Sequence, residues 1–213
     1  MSRVALERLK ERFAEGVLAT HDFRGDETAV LDPQILKEAC RFLRDTPGLK
    51  LNMLIDATAV DYLGYPGRDA PRFEVVYHLY SVSEKQRLRL KVQLSEEEPE
   101  LDSLVELWSI ADWLEREIWD MYGIRFRGHP DLRRILLYDE FVGHPLRKDY
   151  PKERHQPLAR RPEHELAEVL TKRGRATTLE LGEPRGGKGV GSEGQTGAPR
   201  AQGNGRSSAE AKQ

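Results

Sequence analysis

Residues 72–94 read Arg-Phe-Glu-Val-Val-Tyr-His-Leu-Tyr-Ser-Val-Ser-Glu-Lys-Gln-Arg-Leu-Arg-Leu-Lys-Val-Gln-Leu. The second half alternates: Leu88, Leu90, Val92 and Leu94 fall on one side, Arg87, Arg89, Lys91 and Gln93 on the other. The first half puts Phe73, Val75, Tyr77 and Leu79 on one side, with Ser81 continuing the row. A period of two belongs to extended chain, whose successive side chains point to opposite faces of a sheet. The two runs predict a hairpin with one face on a core and one in solvent. Glu96-Glu97-Glu98-Pro99 follows and reads as a solvated acidic turn. From Asp102 to Tyr122 the period becomes helical: Leu107, Ile110, Ala111, Leu114, Ile118 and Met121 form one apolar stripe. Gly123 then supplies the C-cap.

Upstream, Val4, Ala5, Leu6, Leu9 and Phe13 give Arg3–Ala14 the spacing of a short amphipathic helix, ended by Gly16. Val17–Phe23 and Thr28–Leu31 read as strands joined by an Arg24-Gly25-Asp26 turn. Asp32-Pro33 pairs an N-cap with a first-turn proline. The helix it starts runs to about Arg44 and aligns Ile35, Leu36, Ala39, Cys40 and Leu43. Cys40 on that face reads as a small buried hydrophobe rather than a nucleophile. Pro47-Gly48 breaks the chain, Leu51–Val60 is strand-like, and Gly64-Tyr65-Pro66-Gly67 is a loop.

Downstream of Gly123 periodicity fades. Pro130, Pro145, Pro151, Pro157 and Pro162 interrupt a run that still carries Ile124, Phe126, Leu132, Ile135, Leu136, Leu137, Phe141 and Leu146. So many apolar groups need a surface to cover, on this chain or another. From Gly174 the composition turns glycine-rich with few large apolar residues, which predicts disorder. The expected architecture is α+β, a two-layer mixed sheet with helices on one face. It is organised as a body over 1–123, an extended partner-binding arm over 124–173 and a disordered low-complexity tail over 174–213.

The chain has 213 residues, and every Trp, Tyr and Phe lies between Phe13 and Tyr150, so the core must come from that part. A net charge of −2 lacks the basic excess that a nucleic-acid binder needs. The single cysteine excludes an intrachain disulfide and a self-contained iron–sulfur cluster. No stretch reaches the roughly 18 apolar residues of a membrane span, and the N-terminus lacks a signal-peptide apolar core. The residues alone therefore predict a cytoplasmic chain that reaches a membrane only through a partner.

Chemistry-bearing residues concentrate in the last helix and beyond it. Glu117 and Asp120 are three apart, and Arg116 lies four residues from both Asp112 and Asp120 and can pair with either. A sharp reading is a carboxylate pair for acid–base work or a metal, joined by His129. No nucleophile, His-x-x-x-His pair or phosphate loop accompanies it, and the local Trp and Tyr favour an ion-pair network at an interface. Gly128-His129-Pro130-Asp131-Leu132-Arg133-Arg134 is echoed by Gly143-His144-Pro145-Leu146-Arg147-Lys148-Asp149. The echo reads as a paired turn element rather than a metal site, with Arg133, Arg134 and Arg147 suited to bidentate contacts on a partner or on the helix. Gly189-Val190-Gly191-Ser192-Glu193-Gly194 and the stretch Gly182–Gly189 look like phosphate loops, but no strand–turn–helix context surrounds them.

Glu115-Arg116-Glu117-Ile118-Trp119-Asp120-Met121-Tyr122, followed by His129, Arg133, Ile135 and Leu136, resembles the signature of the respiratory complex I 30-kDa subunit family. Gly143–Pro151, Asp61-Tyr62 and the strand Arg72–Tyr77 resemble it too, so the likeness spans about residues 1–155. The resemblance implies a non-catalytic structural subunit of the peripheral arm of a proton-translocating NADH:quinone oxidoreductase. It implies a place on the cytoplasmic side of the bacterial inner membrane. No cofactor is expected on this chain; FMN and iron–sulfur clusters are expected in partner subunits. The implied partners are chiefly the 49-kDa-type quinone-site subunit (the D subunit), with the B and I subunits. Glu115, Arg116, Glu117, Trp119, Asp120, His129, Arg133, Arg134, His144 and Arg147 then form the signature and subunit interface. The alternatives are the equivalent subunit of a membrane-bound hydrogenase or other complex I relative, and, from a different class, a stand-alone metal or acid–base enzyme using Glu117, Asp120 and His129.

Overall fold

The computed structural model describes residues 3–67, 71–153, 155 and 156. Residues 1–160 form one compact unit, and the second unit, 161–213, lies outside the described residues. The expectations for the end of the arm (157–173), the tail (174–213) and the two phosphate-loop look-alikes fall there.

Helix α1 spans Arg3–Arg12 and buries Ala5, Leu6 and Leu9, while Val4 stays exposed. Strands β1 (Val17–Phe23) and β2 (Asp26–Leu31) form the first hairpin. Asp32 caps the next element by accepting from the Gln34 N–H at 2.7 Å. A single 3-10 turn, Pro33–Ile35, passes directly into α2 (Leu36–Asp45). α2 buries Leu36, Ala39, Cys40 and Leu43, the i, i+3, i+4, i+7 face of an amphipathic helix. Strands β3 (Met53–Asp61), β4 (Phe73–Ser81) and β5 (Gln86–Leu94) complete a five-stranded mixed sheet in the order β1-β2-β5-β4-β3. β2 and β5 run parallel, and every other neighbouring pair is antiparallel.

The predicted hairpin is the centre of this sheet, in register from Phe73↔Leu94 to Ser81↔Gln86. Its inward rows, Phe73, Val75, Tyr77 and Leu79 with Leu88, Leu90 and Val92, join the helices' apolar faces in one core. The other face is less solvated than alternation predicts. Glu74 and Val76 are buried there, and Lys91 Nζ lies 2.8 Å from Glu74.

The last helix is shorter than its stripe suggests. Helix α3 runs from Ala111 to Tyr122, and the residues before it are not helical throughout. Residues 100–102 form a short strand, β6 (Glu100–Asp102), parallel to β7 (Arg125–Arg127). The Ser103 N–H then donates to Arg127 O at 2.9 Å, which holds the chain extended up to the turns at Leu104–Ile110. Leu107 is buried in those turns, but Ile110 is exposed rather than in the core. The acidic turn is likewise anchored at one end, since Glu96 lies 2.6 Å from Arg72 Nη1.

Candidate functional site

The residues singled out by sequence gather around α3, with chain 128–150 wrapped over it. The last four carbonyls of a helix have no partner within it. Here each finds one outside. Trp119 O accepts from the Gly123 N–H at 2.8 Å, Asp120 O from His144 Nδ1 at 3.0 Å, Met121 O from the Leu146 N–H at 3.1 Å, and Tyr122 O from Arg147 Nε. The second Gly-His-Pro turn is thus a C-terminal cap. Gly123 lets it approach: its φ is +75°, and a Cβ there would lie 2.6 Å from His144 and from Arg147 Nη2. The first Gly-His-Pro turn holds the other end of α3. His129 Nε2 is 3.2 Å from Asp112 O, and its Nδ1 accepts from the Asp131 N–H at 3.1 Å. The near-repeat is therefore a pair of clamps on the two ends of one helix.

Between the clamps, Asp120 is wholly buried. One oxygen accepts from Arg134 Nη1 at 2.6 Å, the other from the N–H groups of Ile135, Leu136 and Leu137 at 2.9–3.1 Å. Burial pushes its carboxyl pKa up, but the Leu137 N–H, Arg134 and the other two N–H groups outweigh it and hold the group below the usual range. Arg134 Nη2 donates to Phe141 O and Gly143 O. Arg116 does not pair with Asp112 or Asp120, as its spacing suggested. It donates to Arg133 O and Arg134 O and lies over the Trp113 ring. A turn of chain that presents two carbonyls in a row satisfies the flat guanidinium better than a carboxylate already surrounded by donors.

A second anchor ties the end of the wrapped segment to the body. Arg72 grips buried Asp61 with two bonds, Nε–Oδ1 at 3.0 Å and Nη2–Oδ2 at 2.8 Å. Asp61 also accepts from the Lys148 N–H at 2.8 Å, and Arg72 reaches Asp149 at 2.7 Å. Burial raises the Asp61 carboxyl, but Arg72 and the Lys148 and Leu63 N–H groups bring it below its ordinary value. The same contacts raise the Arg72 guanidinium. Sequence reasoning assigned no role to these two residues, because nothing local links Arg72 to a carboxylate 77 positions away.

The other singled-out residues divide. Glu115 is fully buried and bonded to Ser103 and Leu104, so it does not present an interface, contrary to the expectation. Glu117 is exposed. Arg133 is exposed and pairs with exposed Asp131, whereas Arg134 and Arg147 face the helix. Trp119 is half-buried between Arg134 and His144. Glu117, Asp120 and His129 do not make an acid–base set. Asp120 is saturated, and both His129 ring nitrogens are committed. Among the described residues no group of three His, Cys, Asp or Glu is placed to hold a metal ion. Four apolar side chains also face outward: Trp113, Leu136, Val142 and Leu146 are each about half exposed or more. Apolar exposure of this kind is suited to binding another protein.

Residues 29–156 match the family model described as respiratory-chain NADH dehydrogenase, 30 Kd subunit. The chain is 48% identical over 147 residues to the NADH-quinone oxidoreductase C subunit of Geobacter sulfurreducens, covering 69% of this chain and 88% of that one. It is 47% identical over 146 residues to the protein of the same name from Roseiflexus sp., covering 68% and 82%. Among solved structures it resembles the trypsin-resistant fragment (1-134) of Nqo5, with TM-score 0.54, 37% identity, and 60% and 99% of the two chains covered. A chain of the archaeal membrane-bound sulfane sulfur reductase shares the fold at TM-score 0.58 and 18% identity, covering 89% and 99%.

Proposed function

From the premise that this chain belongs to the respiratory-chain NADH dehydrogenase 30-kDa subunit family, we propose that it is a non-catalytic assembly subunit of the peripheral arm of a proton-translocating NADH:quinone oxidoreductase. Electrons pass from NADH through FMN and iron–sulfur centres held by other subunits to quinone. This chain contributes surface. Its partners are chiefly the 49-kDa-type quinone-site subunit, with the B and I subunits, on the cytoplasmic side of the inner membrane. No helix among the described residues is long and apolar enough to cross a membrane, which is compatible with attachment through those partners. The near-half identity to proteins named as the C subunit of NADH-quinone oxidoreductase favours this complex over a hydrogenase-type relative.

One observation carries the reading. Asp120, Arg134 and His144 are consumed in holding the helix–arm unit together, while Trp113, Leu136, Val142 and Leu146 stay exposed among outward charges such as Glu117 and Arg133. A catalytic site keeps a polar group free for substrate; a docking element hides its polar groups and shows apolar ones.

The test is a tagged chain carrying Leu136→Gln and Leu146→Gln, expressed in place of the wild type. Both side chains are exposed, and their backbone N–H bonds to Asp120 and Met121 survive the change. The variant should melt as the wild type does and carry no visible flavin or iron–sulfur absorbance. It should fail to recover the other subunits, and NADH:quinone activity of the membranes should fall with it. Normal assembly of the variant, or a stoichiometric cofactor on the isolated chain, overturns the reading.

A further inference from the structure

Three buried acids lie in or against the helix–arm unit. Asp120 has Arg134, and Asp61 has Arg72. Glu115, with no solvent exposure at all, has no cation within ion-pair distance among the described residues. Its two oxygens accept from neutral donors, Ser103 Oγ at 2.6 Å and the Leu104 N–H at 2.7 Å. Titratable groups on every neighbouring element interact with it, and its charge raises both Cys40 and Tyr77. Cys40, a buried thiol, belongs to α2. Tyr77 belongs to β4, and its hydroxyl is buried without a hydrogen-bond partner. Asp112 lies less than one turn earlier on α3 and adds a like charge. Lys37 on α2 attracts weakly, because its ammonium is engaged 3.0 Å from Glu106. A carboxylate in such a place suffers desolvation without a counterion, which favours the neutral acid.

Glu115 also sits at a mechanical junction. Ser103 and Leu104 begin the connection from β6 into α3, and the Ser103 N–H is bonded to Arg127 O at the end of β7. β7 leads directly into the wrapped segment. A change of charge at Glu115 therefore acts where the arm is rooted.

We propose that Glu115 is a proton-operated latch: its neutral carboxyl keeps the connection Ser103–Ile110 seated on α3, and loss of the proton releases that connection together with the β6–β7 pair. In the seated state the Ser103 hydroxyl and the Leu104 N–H donate to the neutral carboxyl. When the proton leaves to solvent the same two donors face a full negative charge. Two neutral donors do not replace a hydration shell, so the charged group is satisfied by lifting the connection and admitting water. Burial raises this carboxyl from 4.5 to about 7 against the opposing pull of Ser103 and Leu104, which places the transition near neutral pH. The latch is a property of this chain's own fold and holds whatever partner the arm meets.

The experiment is hydrogen exchange by mass spectrometry on the full chain at about pH 6 and about pH 8.5, corrected for intrinsic exchange. A group that titrates near 4.5 when open and near 7 when seated makes the open form about tenfold more populated at the higher pH. Peptides covering 103–110 should show that rise in the wild type, and Glu115→Gln, permanently neutral with an acceptor retained, should abolish it. Infrared spectra should show a protonated-carboxyl stretch near pH 6 that is absent from this variant. Ser103→Ala removes a donor that favours the charged form and should move the midpoint to higher pH, which serves if Glu115→Gln does not fold. A rise of equal size in Glu115→Gln, no rise in the wild type, or an unmoved midpoint in Ser103→Ala overturns the proposal.

Discussion

Arg134 Nη1 lies 2.6 Å from Asp120 Oδ1, and this contact closes a loop of the chain back onto the helix it has just left. The carboxylate is unexposed, and the arginine side chain is 12% exposed. Both charges are therefore removed from water, and each depends on the other.

Asp120→Asn should then leave the Arg134 guanidinium without its counterion and one oxygen short at the three N–H groups. Loss of one member of a buried pair costs on the order of 3–5 kcal/mol. Urea denaturation of the full chain should show a fall of that size, and hydrogen exchange should show residues 133–147 losing protection. A change below about 1 kcal/mol would mean that the pair contributes little to holding the arm.

Gly123 and Gly128 separate backbone strain from steric clash. Both have φ near +75°, but a Cβ at Gly128 meets nothing within 4 Å, whereas at Gly123 it meets His144 and Arg147. Gly128→Ala should lose about 1–2 kcal/mol, the cost of a left-handed alanine. Gly123→Ala should lose a further 1–3 kcal/mol as the cap is pushed away. Thermal melts of the two variants, side by side, check the order; equal losses would contradict the cap.

Arg72→Lys keeps the charge and removes the two-bond grip on Asp61. The expected loss is about 2–4 kcal/mol, with faster tryptic cleavage at Lys148 and Lys152 as the end of the wrapped segment detaches. Unchanged cleavage kinetics would show that Lys148 and Asp149 are held by something other than this network.

Arg133→Ala should behave oppositely. Its side chain is 70% exposed against an exposed partner, so the isolated chain should change by no more than about 0.5 kcal/mol. Loss of assembly in this variant would then report a contact on a partner subunit and not a folding defect.

The buried acids also set a pH profile with two limbs. Asp61 and Asp120 have folded-state values below the ordinary range, so their stabilisation is present above about pH 4 and is lost on acidification through those lowered values. Glu115 has the reverse sign. Its folded-state value is raised, so its contribution is complete below 4.5 and is lost as pH climbs towards about 7, on the order of 3 kcal/mol. Stability measured by urea from pH 3 to 8 should peak on the acid side of neutrality, and Glu115→Gln should flatten the alkaline limb.

Local periodicity carried what depends on neighbours in sequence. The alternation of 72–94 specified the central hairpin, and the spacing of Leu36, Ala39, Cys40 and Leu43 specified the buried face of α2, because a strand or helix exposes its pattern within a few residues. Gly123 as a left-handed cap was legible for the same reason. The family was legible too, since the run from Glu115 to Tyr122 keeps its spacing in the linear chain. What tertiary structure decided lies between distant residues. The apolar stripe carried no sign that Ser103 and Arg127 hold the chain extended and delay α3 to Ala111. Three-residue strands such as β6 and β7 are too short to show a period. The partners of the polar residues were hidden most completely. Charge spacing offered Arg116 a carboxylate four residues away, but the wrapped segment brought two carbonyls to Arg116 and Arg134 to Asp120. It also brought Asp149 to Arg72 and, among the described residues, left Glu115 with none of the arginines. Desolvation ranks such choices, and which groups leave water together is determined only when the chain has folded around them.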